Sequence, residues 1–101
     1  MKIIAITSCA TGIAHSYMAA EAIEKICKQN GDRVKVEIQG ALGIENALSA
    51  KDIAEADAIV FANDVSISKE ERFDDVKDKI IRIKPHDVIK NPAIIYDMIN
   101  P

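Results

Sequence analysis

Tryptophan is absent from this 101-residue chain, and its aromatic residues are two tyrosines and two phenylalanines. Basic side chains are outnumbered by acidic ones, 13 to 16, for a formal charge of −3. With no basic cluster and few aromatic platforms, the chain lacks the footprint that binding to a phosphodiester backbone needs. Long apolar runs are missing too. Stretches such as Ala58 to Ala62 fall far short of the roughly 20 residues of a membrane span. The opening Met1 to Ile6 runs straight into Thr7-Ser8-Cys9, which leaves no apolar centre or cleavage site of a secretory signal. Cys9 and Cys27 are the two cysteines, too few and too far apart for a Cys-x-x-Cys pair, a zinc framework or a disulfide scaffold. A reducing cytoplasm is the expected compartment. What remains is 49% hydrophobic and 29% charged, the balance of one soluble globular domain over residues 1–101 with a small core.

Apolar spacing divides the chain into alternating elements. Lys2 to Ile6 reads as a short, buried central strand ended by the polar run Thr7 to Gly12. From Ala14 onward, Ala19, Ala20, Ile23, Ile26 and Cys27 recur at helical steps, with Glu21, Glu24, Lys25 and Lys28 opposite, until Asn30-Gly31 closes the helix. Val34, Val36 and Ile38 alternate with Lys35, Glu37 and Gln39, which predicts a second strand with one apolar and one wet face, at or near an edge. Gly40 to Gly43 ends it. Ser49 with Asp52 resembles a capping box for a brief helix to Ala56. Ala58 to Ala62 is a third strand and Ile80 to Ile83 a fourth, with a charged loop and weak helix between Ser66 and Lys79 anchored by Phe73 and Val76. Pro85 limits the fourth strand, His86 looks like the start of a helix, and Asn91-Pro92 opens a terminal helix carrying Ile94, Ile95, Met98 and Ile99. Strands alternating with helices imply βαβ units and a parallel sheet.

Ligands of open parallel sheets bind beyond the carboxyl ends of the strands, so the segment after the first strand is the first candidate. It reads Ser8-Cys9-Ala10-Thr11-Gly12-Ile13-Ala14-His15-Ser16, a thiol and a glycine with a helix immediately behind. Converging backbone N–H groups and the positive helix end favour an ionised sulfur there and offer donors to a phosphoryl group in flight. A cysteine after a strand is also a common small core residue, but polar Thr7, Ser8 and Thr11 are an odd lining for one. Cys27, on the apolar stripe, is the contrasting core thiol. His15 either meets an incoming phosphate or holds the loop; the hydroxyls of Thr11 and Ser16 either cap the helix or touch ligand. Asp64 lies on the same rim and reads as a turn residue.

The run from Cys9 to Ser16, followed by Tyr17-Met18-Ala19-Ala20-Glu21-Ala22, resembles the Cys-Pro-Thr-Gly-Ile-Ala-His-Thr signature and Met-Ala-Ala-Glu-Ala helix of fructose-family IIB components. These belong to the bacterial phosphoenolpyruvate-dependent sugar phosphotransferase system. Val36-Glu37-Ile38-Gln39-Gly40, Ala56-Asp57-Ala58, Asp64-Val65 and Arg72-Phe73 extend the resemblance over nearly the whole chain. Ala10 stands where the family has proline, which frees one φ angle, and Ser16 where it has threonine. The resemblance implies an α/β fold, Rossmann-like or flavodoxin-like, with an open four-stranded parallel sheet in the order 2-1-3-4 and helices on both faces. It further implies that Cys9 accepts a phosphoryl group from a phosphohistidine on a IIA protein and passes it to a sugar, fructose or a related one, held by a membrane IIC permease. Ala10, Thr11, Gly12, Ile13, Ala14, His15 and Ser16 would form the phosphate-binding loop. No metal or organic cofactor is implied. Docking surfaces would surround Cys9, with Ile13 and Tyr17 as contact residues or as simple helix-start packing. The expectation is a separate cytoplasmic subunit, peripheral to the inner membrane only through the permease.

Three rival readings stand beside this one. A low-molecular-weight tyrosine phosphatase carries Cys-x5-Arg after its first strand, whereas this chain has His15 at the arginine position, without the bidentate grip on phosphate. An arsenate-reductase-like protein wants a resolving cysteine near Cys9, and Cys27 lies further along the helix. A module reporting sugar status to a regulator would use the same phosphorylatable thiol.

Overall fold

The computed structural model describes residues 1–9, 13–40 and 43–99. β1 (Lys2–Ser8) runs between β2 (Arg33–Gly40) and β4 (Ala58–Asn63), parallel to both. β5 (Ile80–Ile83) lies parallel beside β4, and β3 (Gly43–Glu45) lies antiparallel beside β2. The order is β3-β2-β1-β4-β5. The four parallel strands thus stand in the expected 2-1-3-4 order, but the sheet has five strands and is mixed. Gly43, at φ +114°, pairs antiparallel with Gly40. Such a backbone conformation suits glycine, and a strand of three residues is too short to show an alternation.

β1 is buried on both faces, so its apolar run does not alternate. Ile3 and Ala5 pack with Val36, Val60, Ala20, Ile23, Cys27, Val88 and Ile95 on one side. On the other, Ile4 and Ile6 meet Phe61, Ile53, Leu48, Ile67 and Phe73. Helices cover both faces accordingly. α1 (Ile13–Gln29), α3 (Pro85–Lys90) and α4 (Ile94–Ile99) bury the first cluster; α2 (Ala50–Glu55) and 3-10 turns over Glu70–Lys79 bury the second. The aromatic rings of Phe61 and Phe73 meet edge to face at 5.0 Å, a favoured geometry.

Local chemistry sets the ends of these elements. Gly31, at φ +74°, follows α1 in the left-handed conformation, with Asp32 N–H on the Cys27 carbonyl and Gly31 N–H on that of Lys28. That is the Schellman pattern at a helix C-terminus. At α2 the expected capping box is present, the Ser49 hydroxyl accepting from Asp52 N–H at 3.1 Å and the Asp52 carboxylate from Ser49 N–H at 2.9 Å. The weak helix before β5 takes the form of 3-10 turns interrupted at Val76.

One expectation for β2 is overturned. Its second face is not wet: Glu37 is fully buried and Gln39 nearly so. β3 flanks the strand, and Arg72, from the segment after β4, reaches over to meet Glu37.

Candidate active site

β1 is where the strand order reverses: the chain leaves it through α1 to β2 on one side and later returns to β4 on the other. That is the crevice position of ligand sites in open α/β sheets. Ser8, the last residue of β1, is flanked by Gln39 and Asn63. Cys9 follows directly, half-buried rather than sealed in the core.

Two polar side chains from other elements flank the sulfur. The Cys9 thiol donates to Asp64 Oδ2 at 3.4 Å, and His15 Nδ1, in the first turn of α1, lies 3.9 Å from Sγ. Asp64 is held there by its own N–H on the Ser8 carbonyl at 3.1 Å, while Asn63 Nδ2 donates to the Val65 carbonyl at 2.8 Å. The His15 ring meets that of His86, from the start of α3, edge to face at 4.9 Å. One turn into α1, the Tyr17 hydroxyl donates to the Glu45 carboxylate of β3. The phenol is pushed above its ordinary range by that bond, then by burial and the nearby negative charge.

Thr7 and Ser16 are both buried, and their hydroxyls have no hydrogen-bond partner among the described residues. An unmet buried hydroxyl costs about 1–3 kcal/mol. Ala14 is exposed in the first turn of α1. Ala10, Thr11 and Gly12 lie outside the described residues, as does the side chain of Ile13. Cys27 is fully buried, as expected of a core thiol, and burial pushes it up from its ordinary range. Among the described residues there is no group of three or more His, Cys, Asp and Glu able to hold a metal ion.

Below this rim the Glu37 carboxylate receives both terminal nitrogens of Arg72 at 2.9 Å, Gln39 Nε2 at 2.8 Å and Leu48 N–H at 2.8 Å. Burial alone would raise this carboxyl, but those bonds outweigh it and hold the group below the usual carboxylate range. The sequence pattern missed this cluster and read His86 only as the start of a helix; it placed Asp64 on the same rim as Cys9, but as a turn residue rather than a partner of the thiol. Asp64 and His86 each follow a parallel strand at its carboxyl end, and that shared position was the signal available for them.

A family model described as the PTS system lactose/cellobiose-specific IIB subunit matches residues 4–97. The chain belongs to the PTS IIB family. It is 46% identical over 98 residues to the PTS system fructose-like EIIB component 2 of Escherichia coli K12, covering 97% of this chain and 91% of that one. The solution structure of an Enzyme IIB subunit of the PTS from Escherichia coli K12 superposes with a TM-score of 0.88 at 43% identity, over 97% of this chain and 89% of the other. The fructose-like EIIBC component of the same strain is 41% identical over 91 residues, which is 90% of this chain but 19% of that protein. In this IIB chain, Cys9, His15 and Asp64 lie together beyond the carboxyl end of β1.

Proposed function

We propose that Cys9 is the phosphoryl acceptor of this IIB phosphocarrier, taking the group from a phosphohistidine on a IIA protein and passing it to a sugar held by a IIC permease. The observation that carries the reading is the half-buried Cys9 sulfur at the end of β1, ahead of a long helix, with Asp64 and His15 beside it. In the first step Sγ attacks phosphorus in line, the S–P bond forms and the N–P bond of the donor breaks. Its electron pair returns to the imidazole, and the thiol proton leaves through the Asp64 carboxylate toward that imidazole. In the second step a sugar hydroxyl attacks phosphorus, the S–P bond breaks with its pair returning to sulfur, and the hydroxyl proton passes by way of the Asp64 carboxylate to that thiolate.

Phosphoryl transfer needs mainly position and charge stabilisation. The positive end of α1 supplies the latter, with His15 and Ser16 of its first turn counted in the phosphate-binding loop. Ala10, Thr11, Gly12, Ile13 and Ala14 complete the phosphate-binding loop in this reading, and residues 1–101 act as one IIB domain. The sugar is fructose or a related hexose, in line with relatives named fructose-like. A relative named an EIIBC component supports a IIC partner. No helix of the described residues is long and apolar enough to cross a membrane; the protein works at the cytoplasmic side, held near the membrane by the permease.

The test incubates the protein with labelled phosphoenolpyruvate, the general phosphotransferase proteins and a IIA donor. Label appears on Cys9 as a thiophosphate, disappears in Cys9→Ser and persists in Cys27→Ser. Turnover of p-nitrophenyl phosphate with no label from the donor would instead mark a hydrolase of the phosphatase type.

A further inference from the structure

Two segments lie on either side of the polar face of β2. One runs from β3 to Leu48 and reaches α1 through Glu45 and Tyr17; the other runs from Asp64, which meets the Cys9 thiol, to Arg72. A single hub on β2 ties down both. Glu37 accepts from Leu48 N–H in the first segment and from Arg72 in the second. Arg72 spans the gap itself, donating also to the carbonyls of Leu48 at 3.3 Å and Lys69 at 2.9 Å. Gln39 grips Ser68 as a strand would, accepting its N–H at 2.8 Å and donating to its carbonyl at 3.0 Å.

Both ends of this network reach the site. Asp64, at the start of the second segment, accepts from the Cys9 thiol, and Glu45 in the first holds Tyr17 of α1. Among the described residues the two non-glycine positions with positive φ are Asn46 at 54° and Lys69 at 60°. One lies two residues before Leu48, the other between Ser68 and Arg72. Backbone of that kind persists where its surroundings over-determine it, and it clusters near functional sites. A buried ion pair is a weak source of stability, since apolar replacements often match or exceed it.

We propose that the Glu37–Arg72 pair, its carboxylate fully buried, is a positioning device for phosphoryl transfer, fixing the segment that carries Asp64 and the β3 segment at one separation. The inference rests on Cys9 being the phosphoryl acceptor. Loss of the fork displaces Asp64 and the β3 rim while leaving the nucleophile in place. A displacement near 1 Å at a reacting centre can slow transfer on the order of tenfold to a hundredfold.

The test uses the full chain with two variants. Arg72→Lys keeps a cation near Glu37 but loses the planar fork. The double variant Glu37→Gln with Arg72→Met removes both charges and keeps an acceptor for Leu48 N–H. Single-turnover transfer from a phosphorylated IIA donor is measured against donor concentration, beside thermal melting and the backbone amide spectrum. Expected is a saturating rate lowered about tenfold, a KM little changed, displaced amide signals at Asp64 and Ser68, and a double variant melting close to the unaltered chain. A folded double variant, or failing that a folded Arg72→Lys, that transfers at the unaltered rate overturns the inference and leaves Cys9 as acceptor. A change confined to KM also overturns it, in favour of a docking role. An unaltered chain that takes no label on Cys9 overturns both readings.

Discussion

Asp64 sets a carboxylate 3.4 Å from the Cys9 sulfur, and a phosphoryl group on that sulfur brings further negative charge into the same space. The carboxylate assists the thiol as an acceptor and opposes the phosphorylated product by repulsion. Asp64→Asn keeps an acceptor oxygen and removes the charge, so the equilibrium fraction of phosphocysteine rises roughly three- to fivefold, a modest gain because Asp64 is exposed. Phosphorus NMR against a fixed donor ratio checks it. His86 acts one residue further out, through the ring of His15. His86→Ala slows transfer to Cys9 by about two- to tenfold, the worth of one aromatic contact, whereas His86→Phe retains most of the rate; quench-flow labelling reads both. At this scale Cys9 was legible because a thiol among hydroxyls after a strand is chemically conspicuous. Strand order also put Asp64 on the same rim, but not its bond to the sulfur across 55 residues of chain, and no local pattern placed His86 against the His15 ring.

Helix ends in this protein are fixed by single residues, which makes them sensitive to small changes. Gly31 sits at φ +74° with open space where a Cβ would project, so Gly31→Ala meets no clash and its cost is conformational alone. The expected loss is about 1 kcal/mol, read by urea denaturation with an unchanged m-value. This end of α1 was plain in the sequence, because Asn30-Gly31 after an apolar stripe is a local signal and a Schellman turn is closed by local bonds. The capping box at α2 was plain for the same reason. β2 was misread on one face: its alternation is real, but the polar half is buried by Arg72, whose position depends on a distant segment. β3 was missed because antiparallel pairing with β2 defines it, and three residues carry no period of their own.

Across the whole molecule, buried and bonded titratable groups define the pH range of the fold. Asp52 is held below the ordinary carboxylate range by Ser49 N–H and then by Lys35, and Asp32 by the Tyr96 hydroxyl and then the Met1 ammonium. Glu37 is also held low, its bonds outweighing burial. A lowered carboxyl contributes stability that is complete above its unfolded value and lost as pH falls through the folded one. Melting temperature therefore declines below about pH 4.3. On the other side, burial raises both Cys27 and Tyr96. Their contribution is complete below the unfolded values and is lost as pH rises toward the folded ones. Decline on the alkaline side thus begins near pH 8.5 with the thiol, and Cys27→Ala moves its onset to about pH 10, where tyrosine alone remains. A series of thermal melts from acid to alkaline pH, with and without the substitution, decides both limbs.

What the sequence determined by itself was whatever neighbouring residues settle among themselves: the period of α1, the unbroken apolar run of β1, the caps at Ser49 and Gly31, and a cysteine placed between a strand and a helix. Those features follow from backbone hydrogen bonding and side-chain alternation over a few residues. Tertiary structure alone decided that Glu37 and Gln39 are interior, that Arg72 closes over them, that the Asp64 carboxylate meets the Cys9 thiol, and that His86 packs on the His15 ring. The reason is physical: a parallel sheet brings the carboxyl ends of strands far apart in the chain to one edge, and burial then forces distant polar groups to satisfy one another.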